Sequence, residues 1–283
     1  MAPILRRAVA TVTDFTCRVV GRRTVVRTAR YVLLRARLDY PNGLTTNGES
    51  DLQRWLLRFS EPGEVIHVAD VGANVGRWSE SMLAAARHAG RGSDLRLYAF
   101  EPETWAFGQL TRAIDGPQVT LSRSALSDQN GISPFHVVAP GAGTNSLYPL
   151  PGASYTAQEN VVTITLDSYA KRARIARFAL VKIDAEGHDL AVMRGARGLL
   201  GEHRIAVIQF EYNHRWILAR LFLRDAFEFL IPLGYRIGKL TPRGIEFYTS
   251  WDPDLETFVE GNYIACDLEM AGRLPAVTWW KSE

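Results

Sequence analysis

The sequence predicts an α/β fold: a mostly parallel sheet, antiparallel strands near the C-terminus, and a helical arm at the N-terminus. Three observations lead there. Between residues 65 and 230, short apolar runs alternate with stretches of helical periodicity, the pattern of a parallel sheet covered by helices. From Tyr235 onward, strand-like runs follow one another with no helix between them, which marks antiparallel closing strands. Residues 1–38 hold nine arginines and a single acid, Asp14, a composition unlike anything after them. The chain is read as an Arg-rich arm, 1–48, and a domain, 49–283.

In the arm, Ile4, Leu5, Val9, Val12, Phe15, Val19 and Val20 fall near helical spacing. Its local charge is +8 against +3 for the whole chain, so the remainder carries −5 and the basicity belongs to the arm. An amphipathic helix pair of this kind is expected first to pack on the body or on a second subunit, making an oligomer. Peripheral contact with an anionic membrane is the second reading. A nucleic-acid arm is the third, and no nucleic-acid partner is expected because aromatic side chains for base stacking are few. The arm lacks a sustained apolar h-region, which argues against a cleaved signal peptide. No run of about 18 apolar residues predicts a spanning helix. A cytoplasmic, membrane-peripheral location fits these features. Cys17 and Cys266 stand at opposite ends of the chain and fit neither a disulfide framework nor a metal spacing.

Tyr40-Pro41-Asn42-Gly43 reads as a turn. Leu52, Trp55, Leu56 and Phe59 recur at i, i+3, i+4 and i+7 and predict a helix over 51–59, stopped by Glu61-Pro62-Gly63. Val65 to Val71 is an apolar strand, followed by the turn Gly72-Ala73-Asn74-Val75-Gly76 and a helix from Arg77. Gly72 and Gly76 lack a Cβ, so a ligand can approach the backbone. The turn reads Asp-x-Gly-x-x-x-Gly from Asp70, not the Gly-x-Gly-x-x-Gly of a dinucleotide site. A carboxylate there repels a pyrophosphate and suits a cation. S-adenosylmethionine carries an ammonium and a sulfonium and no phosphate.

The next strand, Leu95 to Phe100, ends in Glu101, 25 residues past Gly76. That is where a βαβ unit places an acid against ribose hydroxyls. Thr104 to Ile114 is a predicted helix, and Val119 to Ser122 a third strand leading to Ser127 and Asp128 at a polar turn. These two are candidates to meet an adenine. Ile132 to Val138 is a strand. Ala139 to Glu159, rich in Pro, Gly, Ser and Thr, is longer than packing needs and is expected to form a lid. Val161 to Leu166 is another strand.

Phe178 to Ile183 predicts a central strand ending Asp184-Ala185-Glu186-Gly187-His188. A helix follows over 190–200. Ile205 to Phe210 is the neighbouring strand, ending Glu211-Tyr212-Asn213-His214, with a helix over 215–230 and closing strands at 235–240, 244–250 and 262–267. Four strands in succession therefore end in acids or polar clusters, and in a doubly wound sheet these open to one side. Asp184 and Glu211 are candidates to hold a divalent cation such as Mg2+, with Asn213 or a substrate hydroxyl completing the shell. His188, His214 or Asp184 is the alternative, acting as a general base. Such a site suits an alcohol, whose proton must leave. No Asn-Pro-Pro-Tyr element for planar amines is present, and no Cys stands near the strand ends.

Taken together, Asp70-Val-Gly-Ala-Asn-Val-Gly76, Phe100-Glu-Pro102 with Phe107 and Leu110, Thr165-Leu-Asp167, and Val181-Lys-Ile-Asp-Ala-Glu-Gly-His188 with Gly195-Ala196 resemble the FkbM-type family of S-adenosylmethionine-dependent methyltransferases. The resemblance covers roughly residues 65–213. It implies a Rossmann-like class I methyltransferase fold and O-methylation of a sugar, glycolipid or polyketide-type hydroxyl. It further implies that Asp70, Gly72, Asn74 and Gly76 hold the methionine end of the cofactor and Glu101 its ribose. The competing expectations are an amine or carboxylate acceptor, or a non-catalytic body carried to a membrane or nucleic acid by the arm.

Overall fold

The computed structural model of the protein describes residues 3–39 and 42–278, so Tyr40 and Pro41 of the expected turn lie outside the described residues. The chain divides into two units, Met1–Pro41 and Asn42–Glu283. Residues 42–48 are tied into the second: Asn42 donates to Glu260 at 2.7 Å and Asn47 to Glu49 at 2.7 Å.

The first unit is a pair of helices, α1 (Pro3–Val20) and α2 (Arg22–Ala36), joined at Gly21, and no residue of either is buried.

The second unit opens with α3 (Glu49–Phe59), β1 (Ile66–Val71), α4 (Arg77–His88), β2 (Leu95–Phe100), α5 (Thr104–Ala113) and β3 (Val119–Ser122). Then come β4 (Ala125–Leu126), β5 (Gly131–Val137), β6 (Ala157–Ile164), α6 (Leu166–Ala173), β7 (Phe178–Ile183), α7 (Asp189–Arg194), α8 (Arg197–Gly201) and β8 (Ile205–Tyr212). It closes with α9 (Leu223–Leu230), β9 (Arg236–Thr241), β10 (Gly244–Tyr248), β11 (Gly261–Cys266) and α10 (Leu268–Arg273).

Among the described residues the main sheet has eight strands in the order β10-β9-β11-β8-β7-β1-β2-β3. From β8 to β3 every pairing is parallel, and β11, β9 and β10 add antiparallel pairings on the other side. The expected α/β fold, mostly parallel with antiparallel strands toward the C-terminus, is the fold observed. Between β1 and β7 the strand order reverses direction along the chain, the place where ligands bind in such sheets.

Strand β1 shows why the sheet is central. Val68 enters an apolar layer with Leu97, Leu180, Met82 of α4 and Leu56 of α3. Ala69 and Val71, which alternate with it, enter a layer on the opposite face with Val181, Ile183, Leu190, Leu200 and Phe227. Period-two alternation with both faces apolar is the signature of a strand covered by helices on both sides.

Three elements differ from the sequence reading. The strands at 125–126, 131–137 and 157–164 leave the main sheet and form a second one, ordered β4-β6-β5. The helix expected over 190–200 breaks at Gly195-Ala196, where a Cβ on Gly195 would stand 1.9 Å from the Ser127 carbonyl oxygen. The helix expected over 215–230 is a short 3-10 turn, His214–Ile217, and then α9. Two contacts account for the interruption. The Trp216 indole donates to the Glu211 carbonyl at 3.0 Å, and the Asp225 carboxylate accepts from the Phe222 N–H at 2.7 Å, starting a new helix.

Candidate active site

Strands β8, β7, β1 and β2 are neighbours whose C-terminal halves lie in register, Phe210 beside Ile183, Ile183 beside Val71, and Val71 beside Phe100. The acids that follow them are thereby carried to one edge. A cleft of about 110 Å³ opens there. Gly72, Asn74, Glu101, Glu103, Asp184, Glu186 and His188 line it, with Phe100, Leu126 and Phe135 as apolar floor and Gly143, Asn145 and Leu147 from the long loop.

The turn after β1 is held tightly. The N–H groups of Gly72 and Ala73 both donate to the Phe100 carbonyl at 3.0 Å. Gly72 has φ 77°, and a Cβ on it would lie 1.9 Å from the Asp184 carbonyl oxygen, so only glycine fits where the two strand ends meet. Asn74 follows in the left-handed region at φ 48°. Its N–H donates to Glu101 Oε2 at 2.8 Å, and the Glu103 N–H donates to Glu101 Oε1 at 2.8 Å. Burial pushes the Glu101 carboxyl up to about 7, the neighbouring Glu103 and Asp70 charges adding to it while these two N–H bonds oppose it. The Asn74 side-chain oxygen, on the cleft wall, is buried with no partner.

Behind this turn lies a buried cation. Lys182 Nζ stands 3.3 Å from Asp70 Oδ1 and 3.3 Å from Asp184 Oδ2. Burial alone would lower the Lys182 pKa, but the charges of Asp70, Asp184 and Glu49 outweigh it and hold the ammonium protonated. Ser79 Oγ donates to Asp70 Oδ2 at 2.6 Å.

The turn after β7 is built around Asp189, whose carboxylate accepts from the N–H groups of Ala185 at 3.3 Å and Gly187 at 3.1 Å. Glu186 takes φ 53° in that turn and pairs with Arg215 Nε at 2.5 Å. Burial pushes Glu186 up to about 8, with the Asp184 charge second and Arg215 opposing both. His188 Nε2 lies 2.9 Å from Ser127 Oγ, while its Nδ1 is buried and unpartnered. Burial brings His188 down to about 4, against the attraction of Asp128, so the ring is neutral near pH 7.

The loop after β5 crosses the cleft as the lid reading expected and is fastened at both ends. Glu103 Oε2 accepts from the Gly141 N–H at 2.9 Å and from Asn145 Nδ2 at 3.1 Å. Across the cleft, Ser146 Oγ donates to the Glu186 carbonyl at 3.0 Å and Arg215 donates to the Thr144 carbonyl at 3.3 Å.

Of the residues singled out from sequence, Gly72, Asn74, Glu101, Asp184 and His188 line the cleft. Asp70 does not: it is wholly buried beneath the turn, turned toward Lys182 and Ser79. Gly76 stands at the N-terminus of α4, outside the lining. Ser127 supports His188 from behind, Asp128 is exposed, and the wall expected from them is supplied one turn earlier by Ser124, Ala125 and Leu126. His214 is exposed at the start of a 3-10 turn, away from the cleft, because its turn is pinned by Trp216.

The metal expectation does not fit the donors. Among the described residues no group of three or more His, Cys, Asp or Glu side chains is placed to hold an ion. Asp184 already faces the Lys182 ammonium. Glu211 accepts from Asn213 Nδ2 at 2.6 Å, and the Asn213 oxygen is taken by the Arg215 N–H at 2.8 Å, so the expected third ligand is spent. Burial, reinforced by Asp184, Glu260 and Glu186, also holds Glu211 well above the usual carboxylate range.

Glu103, Asn145 and Glu186 were not singled out. Glu103 and Glu186 each stand two residues past an acid that was, and Asn145 lies within the loop read as a lid.

Residues 70–237 match the family model described as the methyltransferase FkbM domain. The chain is 27% identical over 165 residues to the hexuronic acid methyltransferase AglP of Haloferax volcanii, a match covering 57% of this chain and 62% of that protein's length. A SAM-dependent methyltransferase from Aquifex aeolicus is similar at a TM-score of 0.39 and 12% identity, covering 81% of this chain and 95% of that one. A TehB-like SAM-dependent methyltransferase from Corynebacterium glutamicum is similar at a TM-score of 0.36 and 10% identity, covering 87% and 98%.

Proposed function

Since the chain belongs to the FkbM methyltransferase family, we propose that it is an S-adenosylmethionine-dependent O-methyltransferase whose acceptor is a hydroxyl of a sugar, free or carried on a lipid or polyketide-type scaffold. The observation that carries this reading is Glu101. A cleft-facing carboxylate at the end of β2, already oriented by two backbone N–H groups, is what two vicinal ribose hydroxyls require.

The donor set fits the cofactor at both ends. The unpartnered Asn74 oxygen accepts a hydrogen bond from an ammonium, beside Gly72 on the same wall. Leu126, Phe135 and Leu147 give an apolar wall for an aromatic base. Bound there, S-adenosylmethionine supplies an electrophilic methyl group and a thioether leaving group.

The protein's own part is to place the acceptor oxygen and receive its proton. Asp184 and His188 line the cleft; the His188 ring is neutral, and its Nδ1, unpartnered though covered in the free chain, is the nitrogen left to take the proton. Asp184, held by Lys182, accepts a second hydroxyl of the acceptor and orients it. A polyhydroxylated acceptor suits a wall of acceptors such as Asp184 and Glu186, and the similarity to a hexuronic acid methyltransferase favours a sugar. The test is mass spectrometry of the chain incubated with S-adenosylmethionine and a panel of sugars, amines and carboxylic acids. O-methylated sugar supports the reading; methylation confined to the amines or acids overturns it.

A further inference from the structure

The two arm helices leave apolar faces uncovered. In α1, at 100° per residue, Ile4, Leu5, Val12, Phe15 and Val19 share one face, and Arg6, Arg7 and Arg18 point the other way. Ile4 is 84% exposed, and Val12 and Phe15 66% each. In α2 the side chains of Val26, Val32 and Leu33 are exposed as well, among Arg22, Arg23, Arg27 and Arg30. An apolar face left in water on α1, beside exposed apolar side chains on α2, calls for something to cover it.

Charge decides what. Residues 1–38 hold nine arginines against Asp14 alone. A second copy of the same arm would bring like charge against like. A nucleic acid would satisfy the arginines and leave the apolar stripe wet. An anionic lipid surface satisfies both: the stripe enters the headgroup boundary while arginine stems run along it and their guanidinium heads stay at phosphate level. Among the described residues no helix is long and apolar enough to cross a membrane, so the arm lies on the surface.

We propose that α1 and α2 form a docking element that holds this chain on an anionic bilayer. Packing of the arm on protein, the first expectation from sequence, is a competing outcome of the test. The proposal does not depend on the reaction catalysed.

Co-sedimentation of the full chain with phosphatidylcholine vesicles, with and without about a third phosphatidylglycerol, tests it. Two variants accompany the native chain: Val12→Glu with Phe15→Glu, and Arg6→Gln with Arg7→Gln and Arg18→Gln. The native chain is expected to pellet with the anionic vesicles, at least tenfold less with neutral ones, and at least tenfold less as salt rises from about 0.1 to about 0.5 M. Each variant is expected to lose about tenfold in partitioning, with an unchanged thermal midpoint because the altered side chains are exposed. Equal binding to neutral vesicles, or native-like partitioning by the glutamate variant, overturns the proposal. So does binding of a duplex oligonucleotide, or self-association through the arm, in the absence of vesicle binding.

Discussion

The ammonium of Lys182 sits 3.3 Å from Oδ1 of Asp70, with the carboxylate wholly shielded from water beneath the turn that lines the cleft. The acid that heads the glycine motif therefore acts through a buried ion pair. Replacing Lys182 alone leaves the buried Asp70 carboxylate without its countercharge, which costs about 3–5 kcal/mol, whereas in Asp70→Asn the ammonium keeps Asp184 at 3.3 Å. Lys182→Met is expected to lower stability in urea denaturation by that order, Asp70→Asn by less, and the double variant by less than the two together. Full stability in the single variants would show that the pair is not closed in solution.

Three acids near the cleft set an unusual pH response. Burial raises Glu101 and Asp189 to about 7 and Glu186 to about 8. Unfolded, the same groups titrate near about 4. The folded chain therefore binds more protons than the unfolded one between these limits, and stability falls as pH rises through that window. Each group contributes a slope of about 1.4 kcal/mol per pH unit while its two states differ fully in protonation. Denaturation midpoints are expected to drop steadily from about pH 5 to about pH 8. In Glu186→Gln the drop above pH 7 is expected to flatten.

Glu103 fastens the loop over the cleft through Gly141 and Asn145. Hydrogen bonds to a charged group contribute about 1.5–3 kcal/mol. Glu103→Ala is expected to weaken S-adenosylmethionine binding by about tenfold or more, and Asn145→Ala by somewhat less. The double variant should fall short of the sum of the two, because they share one bond, yet exceed Glu103→Ala alone, because Asn145 also accepts from the Val138 N–H and donates to the Ala139 carbonyl. Hydrogen exchange should rise over 138–147 in the same variants; unchanged protection there would dissociate the latch from the loss.

Under the proposed function His188 receives the acceptor's proton. His188→Ala is expected to lower kcat by about 100-fold or more, the scale of general base catalysis, with cofactor affinity little changed. Ser127→Ala, which removes the group 2.9 Å from Nε2, should fall between that variant and the native chain. A His188→Ala enzyme of native kcat would move the role to Asp184.

Much of this was legible in the sequence, for a physical reason. Apolar runs closed by acids, as at Ile66–Asp70, Leu95–Glu101 and Phe178–Asp184, report both a buried strand and what stands at its tip, so the shared edge of the sheet follows from order alone. The direction of a particular side chain does not. Asp70 is one residue from Val71 and so faces the opposite side of the sheet, toward a lysine 112 positions away. Glu103 finds its role only because a loop returns to it over 42 residues. The break at Gly195 is set by the Ser127 carbonyl, a contact that periodicity cannot register. The second sheet was hidden because β4 is only two residues long and a strand's pattern does not say which sheet it joins.

Calorimetric titration of the native chain and of Glu101→Ala with S-adenosylmethionine, at about pH 6 and about pH 8, addresses the central claim most directly. The native chain is expected to bind, more tightly at the higher pH because a Glu101 held near 7 must be ionised to receive ribose hydroxyls. Glu101→Ala, folded by circular dichroism, is expected to lose that binding and its pH dependence. Native affinity in the variant, at either pH, would contradict the account.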